Sequence, residues 1–255
     1  SFTGSNEIGA KVMRAAAARC LPVALELGGK SPIIVTADAD IDLAVQCIAG
    51  GIFYNAGQMC SSTSRLIVER RIEPRLIEAL EHHAKGCVVG SPLDAETQMG
   101  PITHLAQFGR VGTFLDKARQ DGLSCIAGGK IDRDLPGYFV PPTIYRDVPL
   151  DHAIWTDEVF GPVLATTTFD TDEEALSKAN ASEYALAASV VSGDPLRGKA
   201  LANRVPAGQI WLNTPQIVYP DSAWGGFKAS GIGRELGPWG LNSFRGVKHI
   251  TSPVA

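Results

Sequence analysis

The sequence predicts an α/β protein with a mainly parallel sheet flanked by helices. Short runs rich in Val, Ile and Leu alternate along the chain with Ala-rich or amphipathic segments. This alternation favours parallel strands, because each strand–helix–strand unit returns the chain to the same edge of the sheet. With 255 residues, 45% of them hydrophobic, the chain is long and apolar enough to bury a sizeable core.

The first half of the chain contains clear helix starts. Ser5 precedes an Ala-rich segment, acids in 38–42 suit the positive end of a helix, and Pro74 suits a first turn because its missing N–H costs nothing there. We predict strands at 22–26, 31–35 and 66–69, and helices at 5–19, 38–49, 74–83 and 103–118.

The second half continues the alternation as far as Pro215. The segment 220–240 is rich in Gly and Trp and is predicted to be an ordered, irregular loop. We predict strands at 124–127, 138–144, 163–169, 187–191, 208–212 and 244–251, and helices at 172–179 and 196–205.

Composition excludes several classes of function. The net charge of −4 argues against a nucleic-acid partner, which would need a basic surface. Charged, amide or Gly residues interrupt every apolar run before it reaches the roughly 18 residues of a membrane span. Five cysteines without a CxxC pair favour a reducing compartment, and we expect the cytoplasm.

Several common catalytic motifs are absent from the sequence. It has no GxxxxGK[ST], no GxSxG and no HExxH, and we predict no metal site. Gly231, Gly233 and Gly237 have the spacing GxGxxxG with no strand before them, so they do not form a dinucleotide fingerprint.

A cysteine lies in an unusual setting at 53–65, FYNAGQMCSSTSR. Gly57 and Gln58 lie before Cys60 and a run of small hydroxyl residues follows it; small residues would let backbone N–H groups approach a reacting carbonyl. A thiolate is a strong nucleophile, so Cys60 is a candidate catalytic residue. The alternative is a small buried apolar side chain, which is our interpretation of the other cysteines.

Three further segments combine polar residues with Gly turns. In 25–32, LELGGKSP, Glu26 ends an apolar strand before two glycines, where a carboxylate could act as a general base or simply be solvated. The segment 157–163, DEVFGPV, pairs an acid and an aromatic with a Gly-Pro turn. The segment 223–237, AWGGFKASGIGRELG, suggests a tightly packed loop.

Together these segments resemble the motifs of the NAD(P)-dependent aldehyde dehydrogenase superfamily. Glu26 and Cys60 lie 34 residues apart, the later motifs follow in family order, and the opening 2–9, FTGSNEIG, resembles the end of the family's cofactor domain. The resemblance implies a catalytic domain with a remnant of a Rossmann-like cofactor domain and a C-terminal oligomerisation strand. It places the end of the cofactor domain at 1–28, the catalytic domain at 29–228, and a return segment with the oligomerisation strand at 229–255.

The resemblance also implies roles for the catalytic residues. Cys60 would attack the aldehyde to give a thiohemiacetal, and loss of hydride would leave a thioester. Glu26 would activate the water that hydrolyses this thioester, and Glu235 would relay protons away from Glu26.

For the cofactor, NAD or NADP, the resemblance implies a second set of residues. Glu158 would hold the nicotinamide ribose, and Phe160 would pack near the nicotinamide ring. Gly4 and Ser5 would meet the pyrophosphate at a helix N-terminus, and Leu27 belongs to the same cofactor-binding set.

We predict that the substrate is an aldehyde and that the partner is a second copy of the chain. Tyr54, Trp155 and Trp224 are candidates for the aldehyde pocket, and Trp224 resembles the tryptophan of enzymes that act on betaine aldehyde and aminoaldehydes. Aromatic faces attract quaternary ammonium, although a Trp packed under a Gly loop is the alternative. The segment 244–251 resembles the strand that pairs with a neighbouring subunit, which implies a homo-oligomer.

The chain departs from the family in length. The resemblance places this chain in the C-terminal half of a full member, and the half expected before Ser1 would carry most of the cofactor domain and an oxyanion-binding Asn. We therefore expect weak NAD(P) binding. The alternative is a truncated, redox-inactive fragment that acts as an interaction partner or retains only weak thiol esterase activity.

Overall fold

The computed structural model describes residues 1–131 and 136–253. The strands in these ranges are β1 Phe2–Thr3, β2 Leu25–Glu26, β3 Pro32–Val35, β4 Arg65–Glu69, β5 Ser124–Ala127, β6 Thr143–Arg146, β7 Val163–Phe169, β8 Tyr184–Ala185, β9 Ala187–Val191, β10 Gln209–Leu212, β11 Phe227–Lys228 and β12 Gly231–Ile232. The helices are α1 Asn6–Ala17, α2 Ile41–Ile52, α3 Glu73–Gly86, α4 Leu105–Gln120, α5 Ala153–Thr156, α6 Asp172–Asn180, α7 Pro195–Arg204 and α8 Gly237–Asn242, with a 3-10 helix at Tyr54–Gly57.

A seven-stranded sheet organises the described part of the chain. Its order is β10-β9-β3-β4-β7-β6-β5, and every neighbouring pair is parallel except β5 and β6. The prediction of an α/β fold with a mainly parallel sheet is therefore confirmed.

The central strands form the core of the molecule. All residues of β3, β4 and β9 are buried. Because successive side chains of a strand point to opposite faces, this burial means that both faces of the sheet are covered. Continuous Val, Ile and Leu runs, rather than alternating ones, are what such strands require.

Side-chain caps explain where the predicted helices begin. Ser5 accepts a hydrogen bond from the Ile8 N–H at the start of α1, and Asp40 accepts one from the Leu43 N–H at the start of α2. Both interactions satisfy N–H groups that the first turn of a helix leaves without an intrahelical partner. Pro74 occupies the first turn of α3, as predicted.

A second sheet joins the two ends of the sequence. Strand β2 lies between β1, to which it is parallel, and β12, to which it is antiparallel, and Gly231 is in register with Glu26. Gly231 has φ of 139°, and a Cβ there would overlap the Leu25 carbonyl oxygen. Only glycine fits at this contact, so β12 approaches β2 closely.

Several of the predicted elements differ from the structure. The predicted strand 22–26 is shortened to β2, and the one at 138–144 lies later, as β6, because Pro141 and Pro142 have no N–H to donate to a sheet. The segment 220–240 is more regular than predicted, since it contains β11, β12 and the start of α8. These strands have two residues each, too few to show an alternating pattern.

The predicted strand at 244–251 is wrong for the single chain. No strand follows α8 in the described residues up to 253, and Phe244, Val247 and Ile250 are 78%, 103% and 78% exposed. A strand needs a hydrogen-bonded neighbour, and this segment has none among the described parts of the chain. Separately, no helix in 1–131 or 136–253 has both the length and the apolar character needed to span a bilayer.

Candidate active site

The chain makes a tight turn just before Cys60. Asn55, Ala56 and Gly57 all have positive φ, and a Cβ on Gly57 would overlap the Gly161 carbonyl oxygen. This turn places the half-buried Cys60 beside the segment that carries Glu158. Burial, and then the negative charges of Glu158 and Glu26, raise the pKa of the Cys60 thiol to about 11.

Glu26 lies on the central strand of the small sheet. Only 3% of its surface is exposed, and its Oε2 atom has no hydrogen-bond partner among the described residues. Burial and then the charge of Glu235 raise its pKa to about 7, against the opposing effects of Arg234 and a hydrogen bond from Trp224. The carboxyl therefore changes protonation state near neutral pH, as a general base should.

Glu235 is held next to Glu26 by the loop that follows β12. Its backbone N–H donates to the Trp224 carbonyl oxygen at 2.7 Å, and the Trp224 N–H donates to the Glu235 carbonyl oxygen at 2.8 Å. The Ser1 hydroxyl donates to Glu235 Oε1 at 3.0 Å. The structure thus brings the two predicted glutamates close enough to interact electrostatically.

Glu158 is fixed from two directions. The Gly29 N–H donates to its Oε1 at 3.0 Å, and Arg110 Nη2 donates to its backbone carbonyl oxygen at 2.9 Å. Burial raises the pKa of the Glu158 carboxyl, while the Gly29 hydrogen bond and the charges of Arg110 and Lys30 lower it.

A cavity of about 530 Å³ opens beside Cys60. Seven predicted site residues line it, namely Gly4, Ser5, Leu27, Cys60, Glu158, Phe160 and Trp224. Glu26 and Glu235 are not part of this lining; they lie behind it, next to Trp224.

Sequence reasoning missed five polar residues of this cavity, namely Thr3, Gln58, Ser61, Gln107 and Arg110. Gln107 Nε2 donates to the carbonyl oxygens of Val159 and Phe160, both at 2.9 Å. Gln107 and Arg110 are ordinary polar residues of a helix, and no local pattern distinguishes them. Gln58, two residues before Cys60, could have been found from its place in the cysteine motif.

Two of the three predicted substrate-pocket aromatics lie elsewhere. Trp155 is 1% exposed and packs in the core, with its ring centroid 5.4 Å from the Arg65 guanidinium carbon. Tyr54 is 67% exposed and is not part of the cavity lining. Trp224 does line the cavity, and its ring centroid lies 6.3 Å from that of Trp211. Aromatic character in the sequence did not show which of these rings faces the cavity.

The residues lining the cavity fit a nucleotide cofactor. A carboxylate such as Glu158 accepts hydrogen bonds from sugar hydroxyls, and the N-terminus of α1, capped by Ser5, favours an anion. Gly28 keeps the space beside the carboxylate open, because a Cβ there would lie 2.8 Å from Glu158 Oε2. The N–H donors at the start of α1 therefore suit a phosphate, and the Glu158 carboxylate, an acceptor, suits a ribose.

Fold and site together define an α/β protein with a thiol and a buried carboxyl beside a nucleotide-sized cavity. The model of the aldehyde dehydrogenase family matches residues 1–250, and the chain belongs to this family.

The similar proteins are aldehyde dehydrogenases by name. A peroxisomal aminoaldehyde dehydrogenase of Pisum sativum is 43% identical over 98% of this chain, and a chloroplastic betaine aldehyde dehydrogenase of Beta vulgaris is 41% identical over all of it. The NAD+ complex structure of an aldehyde dehydrogenase from Bacillus cereus superposes on 95% of the chain with a TM-score of 0.92 at 40% identity. This chain covers 50%, 51% and 49% of those three proteins, so it spans about half the length of its relatives.

Proposed function

We propose that this chain is the thiol- and glutamate-bearing part of an NAD(P)-dependent aldehyde dehydrogenase that oxidises an aldehyde to a carboxylate. The observation that carries the proposal is the placement of Cys60 and Glu158 on one cavity, with the buried Glu26 close enough to raise the pKa of the Cys60 thiol. This chemistry needs a nucleophile, a base and a group that binds the cofactor.

The mechanism assigns one role to each group. The Cys60 sulfur, as the thiolate, bonds to the aldehyde carbon, and its negative charge passes to the carbonyl oxygen of the thiohemiacetal, where the Cys60 backbone N–H stabilises it. When bound, NAD(P) supplies the hydride acceptor that takes this adduct to a thioester. Glu26 then removes a proton from the water that attacks the thioester carbon, and the Cys60 thiolate leaves. Glu235 takes the proton from Glu26.

For the cofactor, we propose Glu158 as the ribose ligand, Phe160 and Leu27 as packing residues, and Gly4 and Ser5 as the phosphate end of the site. The solved relative with NAD+ supports NAD over NADP. Weak binding to this chain is tested by calorimetric titration with both cofactors.

The substrate class follows from the relatives and from Trp224. Relatives named for aminoaldehydes and betaine aldehyde support a cationic aldehyde as the substrate. Trp224, which lines the cavity and packs against the buried Trp211, offers an aromatic face of the kind that attracts an ammonium group.

Domain organisation and assembly are also part of the proposal. We propose that 1–28 belongs to the cofactor domain, 29–228 to the catalytic domain, and 229–255 to the segment that carries the contact with a second copy of the chain. The exposed apolar residues after α8 support such a contact.

The first experiment is hydrolysis of p-nitrophenyl acetate by the purified chain, with NAD and betaine aldehyde in parallel reactions. We expect ester turnover that is lost in Cys60→Ala and kept in Cys87→Ala, because Cys87 lies outside the cavity lining. NADH formation would show that the chain is competent for the whole reaction.

The alternative function, a redox-inactive fragment with weak thiol esterase activity, has a distinct outcome. Ester turnover through Cys60 without NADH formation would support it for the isolated chain. Absence of both activities from a folded protein would favour the other form of this alternative, an inert truncated fragment that acts as an interaction partner.

A further inference from the structure

A second, small cavity lies beside Lys30 and Ser31, apart from the one that Cys60 lines. Its volume is about 10 Å³, and its lining includes Lys30, Ser31, Asn180, Arg65 and Lys228. Lys30 and Ser31 are each only 2% exposed. The cavity therefore lies between the start of β3, the end of α6 and β11.

Three polar atoms of this lining are buried and have no partner in the described protein, namely Lys30 Nζ, Ser31 Oγ and Asn180 Oδ1. Leaving such atoms without hydrogen bonds is costly, and most are satisfied by protein or by ordered water. A buried water needs roughly 10 to 15 Å³ of such space and two to four polar partners. The cavity meets both conditions.

The surrounding groups restrict what the cavity holds. Arg65 donates to the carbonyl oxygens of Lys30, Lys178 and Ala179, at 2.8, 3.0 and 2.8 Å. Lys228 Nζ donates to the carbonyl oxygens of Asn180 and Ser182. These cations disfavour a metal ion in the cavity, and the volume suits a single small neutral molecule.

We propose that this cavity binds one water molecule, held by Lys30 Nζ, Ser31 Oγ and Asn180 Oδ1, and that Lys30 held in this way is a positioning residue for Glu158. The Lys30 ammonium donates to the water oxygen, and the water donates to the two oxygen acceptors. Asn180 is oriented for this role, since its Nδ2 donates to the Arg204 carbonyl oxygen at 3.1 Å.

The link from Lys30 to the active site is short. The preceding residue, Gly29, donates its N–H to Glu158 Oε1 at 3.0 Å. The charge of Lys30 lowers the pKa of the Glu158 carboxyl, and so favours the form that accepts this hydrogen bond.

The groups that face Lys30 make its charge sensitive to hydration. Burial and the charge of Arg65 lower the pKa of Lys30 to about 7, while Glu158 and Asp157 raise it; Tyr184 and Lys228 also line the cavity. Water at Nζ reduces the penalty of burial and keeps the ammonium protonated.

Two measurements on the same chain test the proposal. A high-resolution crystal structure should show one density peak within hydrogen-bond distance of the three atoms. Carbon-13 NMR of labelled glutamate side chains, with Glu158→Gln for assignment, should report the titration of Glu158. In Ser31→Ala, which removes one water ligand, we expect its midpoint to rise by on the order of 0.5 pH unit.

The matched control is Ser189→Ala, because Ser189 is equally buried, lies on the neighbouring strand β9 and is outside the cavity lining. An empty cavity, or a peak that bromide replaces, would overturn the water site. Equal midpoints in Ser31→Ala and Ser189→Ala would overturn the positioning role. Neither readout depends on turnover, so this test stands apart from that of the proposed reaction.

Discussion

Glu26 is a buried carboxyl, and its ionisation destabilises the folded chain. Its pKa rises from 4.5 to about 7 on folding, so between these values the folded chain binds more protons than the unfolded chain. The free energy of unfolding therefore falls as the pH rises through this window. Above this pH window, the full free-energy cost of ionising the buried Glu26 is present.

The first prediction concerns this penalty. Glu26→Gln should stabilise the chain at pH 8 by about 1 to 3 kcal/mol relative to its effect at pH 5, because the amide never ionises. Urea unfolding at the two pH values measures it. The exposed Glu96→Gln should show no such difference, and an equal effect of Glu26→Gln at both pH values would contradict the assigned protonation.

Glu26→Gln should also slow thioester hydrolysis by about a hundredfold.

Cys60 gives a second prediction at this scale. With a pKa of about 11, the thiol should react with iodoacetamide about ten times faster for each pH unit between 7 and 10. Because the Glu158 charge raises this pKa, Glu158→Gln should react faster than the unaltered chain at pH 8. Peptide mass spectrometry follows the labelling. A slower variant would show that Glu158 does not act on the thiol through its charge.

The sequence predicted the positions of the thiol and the two carboxyl groups better than those of the pocket aromatics. Cys60, Glu26 and Glu158 stand in segments whose small residues and turns restrict the backbone, and the structure places all three in or beside the site. Trp155 was assigned to the pocket on aromatic character alone, and it packs in the core instead. Whether a ring faces a cavity depends on packing between distant segments, which no local pattern contains.

Among the elements, the turn between β2 and β3 supports the cysteine segment. A Cβ on Gly29 would overlap the Cys60 carbonyl oxygen, which is backbone and has little freedom to move away. Gly29→Ala should therefore destabilise the chain by about 1 to 3 kcal/mol and reduce ester turnover.

A second glycine provides the control for this prediction. Gly86 ends α3, and no atom lies within 4 Å of a Cβ built there. Gly86→Ala should be neutral or stabilising by up to about 1 kcal/mol, with turnover unchanged. Thermal unfolding and the ester assay compare the two variants, and similar losses in both would refute the close approach at Gly29.

The cap of α2 allows a prediction that is independent of the site. Asp40→Ala removes the acceptor for the Leu43 N–H, a bond of 2.8 Å, and should cost about 1 kcal/mol of stability. Asp40→Asn keeps an acceptor and should recover most of that loss in urea unfolding. Equal losses in the two variants would assign the effect to charge rather than to the cap.

Element boundaries were predicted best where side-chain chemistry sets them. The strands at 124–127, 163–169 and 187–191 agree with β5, β7 and β9 residue for residue, and turn residues directly follow each of these three runs. The two-residue strands β8, β11 and β12 were missed, since their pairing depends on tertiary contacts. No strand forms at 244–251 within the single chain, because a local pattern does not supply a partner strand; its pairing with a second copy stays a prediction.

For the whole molecule, the apolar segment after α8 predicts self-association. We expect sedimentation velocity to show a concentration-dependent oligomer that is weakened by replacing Phe244, Val247 and Ile250 together with Ser. These side chains are exposed, so the substitutions should leave the thermal unfolding of the single chain unchanged. An unaltered assembly in the triple variant would place the contact between copies elsewhere.

The small sheet has a consequence for how the site forms and fails. Glu26 pairs with a glycine 205 positions later in the chain, so its surroundings depend on one of the most non-local contacts in the protein. Such contacts close late during folding, because the entropy of closing a long loop must be met first. A protease nick between 229 and 235 would release β12 from Glu26 while the seven-stranded sheet kept its own pairing. In the proposed reaction, Cys60 would then still form the thioester, whereas Glu26 would no longer be placed to hydrolyse it.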